Sequence, residues 1–228
     1  KHEVYVIAPK LWSTEDTNLY TMKTEIVADN KVLDTYETEY GFRYFDFDNN
    51  TGFSLNGEKI KLKGVCLHHD QGALGAVANR DAIERQVKIL KEMGCNAIRV
   101  THNPAASVLL EVCNENGMLV INESFDGWTE YKNGNVNDYP SHFNEVISTD
   151  NQIVNGKAGM KWGEFDVKAM VDGAKNDPSV IMWSLGNEID EGVSGNTSHY
   201  LNLVDDLIKW VQEVDTTRPV TNGDNRKN

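Results

Sequence analysis

The chain predicts an α/β fold: a (β/α)8 barrel of the TIM type, incomplete over these residues and preceded by part of an immunoglobulin-like β-sandwich. Three observations predict it. After residue 52, apolar segments of strand length alternate with segments of helical periodicity, the order of a parallel sheet built from crossover units. Every strand segment ends in a polar cluster: HHD, THN, NES, GNE and NGD. No G-x-G-x-x-G follows the first of these strands, which removes the dinucleotide signal of a doubly wound sheet. Polar residues at five strand ends fit a barrel, whose active site is built there, better than one crevice at a switch point.

Before residue 48 the pattern is β. LYTMKTEIVAD alternates apolar with polar, Asp29-Asn30 is a turn, and KVLDTYETEYGFRYF continues as a strand. About 48 residues is roughly half of an immunoglobulin-sized sandwich. Residues 1–48 are therefore expected to end a sandwich domain, and 49–228 to form the N-terminal part of the barrel domain. DFDNNTG alternates acids as a calcium loop does. Thr51 and Gly57 stand where an EF-hand needs Gly and Glu, so a solvated linker turn is expected.

The barrel elements follow in order. KIKLKGVCLHHD is a strand. NRDAIERQVKILKEMG is a helix with Ile83, Val87 and Leu90 on one stripe and Gly94 as its stop. NAIRVTHNP is the second strand, closed by Pro104, and 105–116 the second helix, with Gly117 at its cap. MLVINESFDGW is the third strand and its loop. A polar connection over 129–161 leads to the helix EFDVKAMVDGAKND and the fourth strand, SVIMWSLGNE. SHYLNLVDDLIKWVQEVD is the fourth helix, with Leu201, Val204, Ile208 and Val211 at helical spacing, and RPVTNGDN is the fifth strand. Five strands are about two-thirds of a barrel. An open sheet edge invites association, so the expected partner is the missing remainder of the barrel or a second copy.

The formal net charge is −13 and the pI about 4.8. Phosphate binding needs a basic face, so nucleic acid is excluded as the main partner, whereas a neutral sugar is compatible. Cys66, Cys95 and Cys113 show neither a disulfide framework nor zinc spacing and are expected as buried thiols. No apolar run reaches the 18 or so residues of a membrane span. KHEVYVIAPK is not a signal peptide and has no initiator Met, as in a processed or excised piece. The compartment stays open between periplasm, exterior and cytoplasm.

The strand ends carry the chemistry. Glu188 in WSLGNE, walled by Trp183 and an apolar strand, is expected to have a raised pKa and to act as a general acid; equally, it could cap a turn or pair with a Lys. Asn187 beside it could bind a sugar hydroxyl. His68 and Asp70 share one strand side and His69 the other. The first two could begin a metal site with His102, bind a polyhydroxylated ligand, or be structural. Arg99 in an apolar strand needs a carboxylate partner or a route to solvent. Glu123, Asp126 and Trp128 follow strand three, where the indole either stacks on a sugar or packs under the long connection.

Taken together, LNGEKIKLKGVCLHHDQGALGA, ILKEMGCNAIRVTHNPAA, LVINESFDGW and DPSVIMWSLGNE resemble glycoside hydrolase family 2, and its β-galactosidases most closely. APKLWSTEDTNLY and YGFR resemble the end of the sandwich domain that precedes the barrel there. The resemblance implies a retaining mechanism with two glutamates. It matches Glu188 to the acid/base, Asn187 to the partner of the sugar 2-hydroxyl, and Arg99 to an arginine near the nucleophile. His102 and the His68-His69-Asp70 cluster match positions lining the sugar site, and Asp126 and Trp128 are expected to join them as substrate contacts. The family's nucleophile ends strand seven. No residue here takes that role, and the 228 residues alone are expected to be inactive. ESFDGW lacks the Glu-x-His of the magnesium-binding members, so neither metal nor cofactor is carried over. The alternatives are a non-catalytic sugar-binding or complementing module, and a metal-dependent hydrolase built on His68, Asp70 and His102.

Overall fold

Asp29 and Asn30 adopt φ of 48° and 57°, the conformation a two-residue hairpin turn requires. They join β1 (Tyr20–Ala28) to β2 (Lys31–Tyr40) in an antiparallel pair. The computed structural model describes residues 3–189 and 197–224. Met22, Ile26, Val32, Leu33 and Tyr36 of this hairpin are exposed, so the described residues cover neither of its faces. Residues 46–52 belong to a second hairpin. Here β3 (Phe45–Asp48), β4 (Gly52–Leu55) and β5 (Glu58–Lys59) form a three-stranded antiparallel sheet. The Asp48 carboxylate accepts from the main-chain N–H of Asn50 and Thr51, which makes the segment a hydrogen-bonded turn between strands.

The five expected parallel strands form one sheet, in the order they occur in the chain. They are β6 (Gly64–His68), β7 (Ala97–Thr101), β8 (Leu119–Glu123), β9 (Val180–Ser184) and β10 (Val220–Thr221). This is part of an α/β barrel. Asn225, the last residue of the polar cluster expected at the fifth strand, lies outside the described residues. In β7, β8 and β9 four residues of each five are buried. The half-buried middle residues, Arg99, Ile121 and Met182, share the concave inner side with Glu188. Helices α1 (Arg80–Glu92), α2 (Ser107–Asn116), α3 (Pro140–Phe143), α4 (Trp162–Ala174) and α5 (Thr197–Gln212) complete the set of α-helices in the described residues. Asn79 caps α1 by accepting from Ala82 N–H.

Two sequence expectations change here. Helix α5 buries Tyr200, Leu203, Leu207, Trp210 and Val211, whereas Leu201 is 52% exposed. Its apolar band is wide, and the two bulky aromatics take the centre, turning the buried face by one position. Of the three cysteines only Cys113 is buried, and Cys66 is exposed.

The N-terminal segment seals the end of the sheet opposite the polar strand ends. Trp12, Phe53 and Leu55 pack against Ala97, Leu119 and Ile181, which lie at the starts of β7, β8 and β9. The Trp12 indole donates to Asn114 O. Gly117 ends α2 at φ +65°, and a Cβ there would stand 2.3 Å from Thr14 O, so only glycine fits both the turn and this close approach.

Below β9, Arg218 donates to the Asp215 carboxylate and to Val180 O. Trp183, expected to wall Glu188, instead faces the helices, fully buried, and donates its indole N–H to Asp215. Burial works to raise the Asp215 carboxyl, but hydrogen bonds from Thr217 and Arg218 and the guanidinium charge hold it at about 2. A carboxyl lowered by folding stabilises above its unfolded value and loses that contribution as pH falls through the folded one. The shift corresponds to about 2 kcal/mol. The stability difference between the protein and Asp215→Asn should therefore shrink by about that amount between pH 5 and pH 2 in urea unfolding. A constant difference would show that the pair is not protonation-linked.

Candidate active site

Strand β8 ends in Glu123, which is fully buried. A buried carboxylate is tolerated only when it is paired and hydrogen-bonded, and Glu123 is saturated. One oxygen accepts from Arg99 Nε at 2.7 Å and Nη2 at 2.5 Å, and from Ser184 Oγ at 2.6 Å. The other lies 2.6 Å from His102 Nδ1. Register explains the meeting. Arg99 pairs across with Ile121, so Glu123, two residues on, presents its side chain to the same side of the sheet. Burial alone would lower the Arg99 guanidinium, but Glu123, helped by Cys66, holds it above its ordinary value. The carboxylate orients the His102 ring through Nδ1 and leaves Nε2 as its other polar atom. The His102 ring also meets His68 edge-on, 5.1 Å between centroids.

Residues of β7 and from beyond the ends of β7, β8 and β9 surround an open cleft of about 700 Å³ bordered by Arg99, His102, Asp126, Lys132, Asn187 and Glu188. A second hollow of about 390 Å³ adjoins it, and Arg99, Asn187 and Glu188 border both. Asn187 is held at three atoms. Its Oδ1 accepts from Arg99 Nη2 at 3.2 Å, its Nδ2 donates to Asp126 Oδ1 at 2.9 Å, and its carbonyl accepts from Lys132 Nζ at 2.6 Å. Lys132 also donates to Asp126 Oδ1 at 2.8 Å. Partial burial works to raise the Asp126 carboxyl, yet the hydrogen bonds from Lys132 and Asn187 and the Lys132 charge keep it below the usual range.

Glu188 is exposed at the mouth, with φ of 46°. A left-handed non-glycine residue costs about 1–2 kcal/mol and persists where its surroundings enforce it. The chain on either side of Glu188 is fixed, since Gly223 N–H donates to Gly186 O, Ile189 N–H to Gly223 O, and Leu185 N–H to Thr221 O, and Lys132 holds the carbonyl of the intervening Asn187–Glu188 peptide. A Cβ on Gly186 would stand 2.5 Å from Ile189 and 2.9 Å from the Trp128 indole nitrogen. The glycine of WSLGNE thus lets the turn close onto Trp128.

Arg99, from the inner side of β7, and His102, Asp126, Asn187 and Glu188, from beyond the strand ends, come together at one cleft. Trp128 does not offer a sugar platform. It is fully buried, donates to Leu185 O and stacks on Tyr200, so it supports the Asn187 turn from beneath. Strand β6 ends at His68, which breaks the alternation expected for the residues beyond it. Asp70 turns back to accept from Gly72 N–H. His69 faces a small hollow beside α1, with Leu67, Val77 and Gln86. Neither borders the cleft that holds Glu188. Among the described residues, no group of three or more His, Cys, Asp or Glu side chains is placed to share a metal ion, so the centre weighed for His68, Asp70 and His102 lacks its geometry. Sequence reasoning left Glu123 without a role and did not find Lys132. The first had a signal, since a carboxylate was one of the two ways in which Arg99 could be accommodated in an apolar strand. The second lies in the 129–161 connection, where no periodicity marks it.

Residues 48–228 match the glycosyl hydrolases family 2 TIM barrel domain, and residues 1–43 match a second model of glycosyl hydrolases family 2. The chain is 37% identical, over 99% of its length, to a β-galactosidase of Bacteroides ovatus, and 29% identical, over 96%, to a β-glucuronidase of Bacteroides fragilis. It spans 28% and 29% of those two proteins. A crystal structure of a family 2 glycosyl hydrolase from Bacteroides cellulosilyticus superposes with a TM-score of 0.80 at 39% identity, over 96% of this chain and 25% of that one. With a parallel sheet that gathers polar residues from three of its strands and their following loops around one cleft, and family models that match it on both sides of residue 45, this chain belongs to glycosyl hydrolases family 2.

Proposed function

We propose that these residues form the acid/base half of the active site of a longer retaining β-glycoside hydrolase. The observation that carries the reading is Glu188, exposed at the cleft mouth beside an Asn187 clamped by Arg99, Asp126 and Lys132. Glu188 protonates the departing glycosidic oxygen and then deprotonates the attacking water. Asn187, with one amide hydrogen uncommitted to Asp126, meets the sugar 2-hydroxyl. Arg99 and His102, both fixed by Glu123, line the sugar side. Retention needs a second carboxyl about 5–5.5 Å from the first. Glu123 is too enclosed to attack a sugar, and the nucleophile comes from strands that extend the sheet past its β6 and β10 edges.

β-Galactosides are the favoured substrates. Arg99 and Lys132, the cations bordering the cleft among the described residues, are each paired with an acid, Glu123 and Asp126. That pairing suits a neutral sugar better than a uronate, which would need an unspent cation. The test is turnover of aryl β-galactoside and β-glucuronide by the longer protein, with NMR detection of the first-formed anomer. The expected product is β-galactose, with galactoside preferred by at least about 100-fold. Initial α-galactose would overturn retention, and turnover by the 228 residues alone would overturn the division of the site.

A further inference from the structure

Lys132 has no place in the reaction as stated, yet it is not an ordinary surface lysine. Its side chain is 16% exposed, and it begins a short 3₁₀ turn in the connection after β8. Its ammonium spans two acceptors of different kinds, the Asp126 carboxylate and the Asn187 main-chain carbonyl. The second acceptor is the informative one. That carbonyl belongs to the peptide joining Asn187 to Glu188. Turning over this peptide plane changes ψ of Asn187 and φ of Glu188 together and moves the neighbouring chain little. It would carry Glu188 out of its left-handed φ of 46° into ordinary negative φ, relieving the strain. It would also swing the carbonyl oxygen away from Lys132 and break a charge-assisted hydrogen bond of 2.6 Å. Asn187's side chain does not oppose the flip in the same way, because its bonds to Arg99 and Asp126 run through the amide group and not through the peptide.

We infer that Lys132 is a positioning residue whose ammonium latches the Asn187–Glu188 peptide in the orientation that aims Glu188 into the cleft. The inference rests on the acid/base reading of Glu188 for its kinetic consequence but not for its structural one. Through this latch the 129–161 connection, which also brings Asn135 and Asp138 to the rim, is coupled to the acid.

Two readouts in the longer protein test it. In a crystal structure of Lys132→Met, Glu188 is expected at negative φ with the preceding peptide turned over, and in Lys132→Arg at positive φ. A Lys132→Met structure with Glu188 still left-handed overturns the latch whatever the kinetics. In kinetics, Lys132→Met should lose about 100-fold in kcat/KM on substrates with poor leaving groups and less than about 5-fold on activated aryl glycosides, because only the former need a placed acid. Lys132→Arg should recover most of the loss. An equal loss on both substrates, or none on either, overturns the positioning role and leaves Lys132 an anchor of its loop. Glu188→Ala run beside it separates the two ideas. If that variant shows no leaving-group dependence, the acid/base reading fails, and the φ of Glu188 in Lys132→Met still decides the latch.

Discussion

Glu123→Gln should lower the stability of the protein by about 3 kcal/mol, because it leaves the Arg99 guanidinium without a counter-charge at the centre of the strand ends. The lower end of the range for broken buried pairs applies, since Arg99 keeps a quarter of its side chain exposed while Glu123 has none. The amide is close in shape but brings an N–H₂ group where four contacts from Arg99, Ser184 and His102 now converge on two oxygens, so either a donor faces another or His102 must take the tautomer that accepts at Nδ1. The loss should register as a fall in melting temperature of roughly 6–12 °C. It should change little with added salt, because the pair is shielded from mobile ions. Pairing Glu123→Gln with Arg99→Met distinguishes the causes. The double variant should be less damaged than the sum of the two singles, since removing both charges removes the uncompensated one. Additive losses, or a single-variant loss below about 1 kcal/mol, would mean that the pair is worth no more than one at the surface.

That hub shows where sequence is informative and where it stops. A lone arginine between isoleucine and valine in NAIRVT demands a partner on energetic grounds, and strand ends are where partners accumulate. The identity of the partner depends on the register between β7 and β8, which no single segment contains. The alternation of strand and helix after residue 52 is written in the periodicity of each segment, and all five parallel strands form where the periodicity puts them. Side-chain direction is less secure at the ends. His68 obeys the alternation of its strand, but His69 and Asp70 lie past the point where β6 stops, so parity no longer governs them. Trp183 and Trp128 look from their neighbours like site aromatics. Both instead bury their rings on the helix side or under the turn, and their indole N–H groups are satisfied there by Asp215 and Leu185. Large aromatics with one donor are well suited to that position, and sequence proximity to the proposed acid does not outweigh it. Lys132 was the least legible. Its partners are a side chain six residues back and a carbonyl 55 residues ahead, and only the folded connection brings them into reach.

In the longer protein, and on the proposed function, Glu188→Ala is expected to have the largest effect on turnover, and the pattern of the loss matters more than its size. In the first step the acid protonates the leaving oxygen, so its removal should cost about 10²–10⁴-fold in kcat/KM on alkyl glycosides and disaccharides, whose leaving groups are poor. Dinitrophenyl glycosides depart without protonation, and their kcat/KM should fall less than about tenfold. In the proposed second step the same carboxyl is to act as a base toward water. On the activated substrates, therefore, kcat should drop while KM drops with it, as the glycosyl intermediate accumulates. Azide, an anion that needs no base, should restore kcat on those substrates and give a β-glycosyl azide. The exposed placement of Glu188 at the border of two adjoining hollows is what makes this rescue geometrically accessible, since shortening the side chain opens the face from which both leaving group and water pass. Equal losses across leaving groups, or azide without effect on any of them, would instead mark Glu188 as a residue that binds the sugar without moving a proton. The acid/base would then have to be sought among the other carboxylates bordering the cleft, with Asp138 the first to be replaced, because Asp126 is already committed to Lys132 and Asn187.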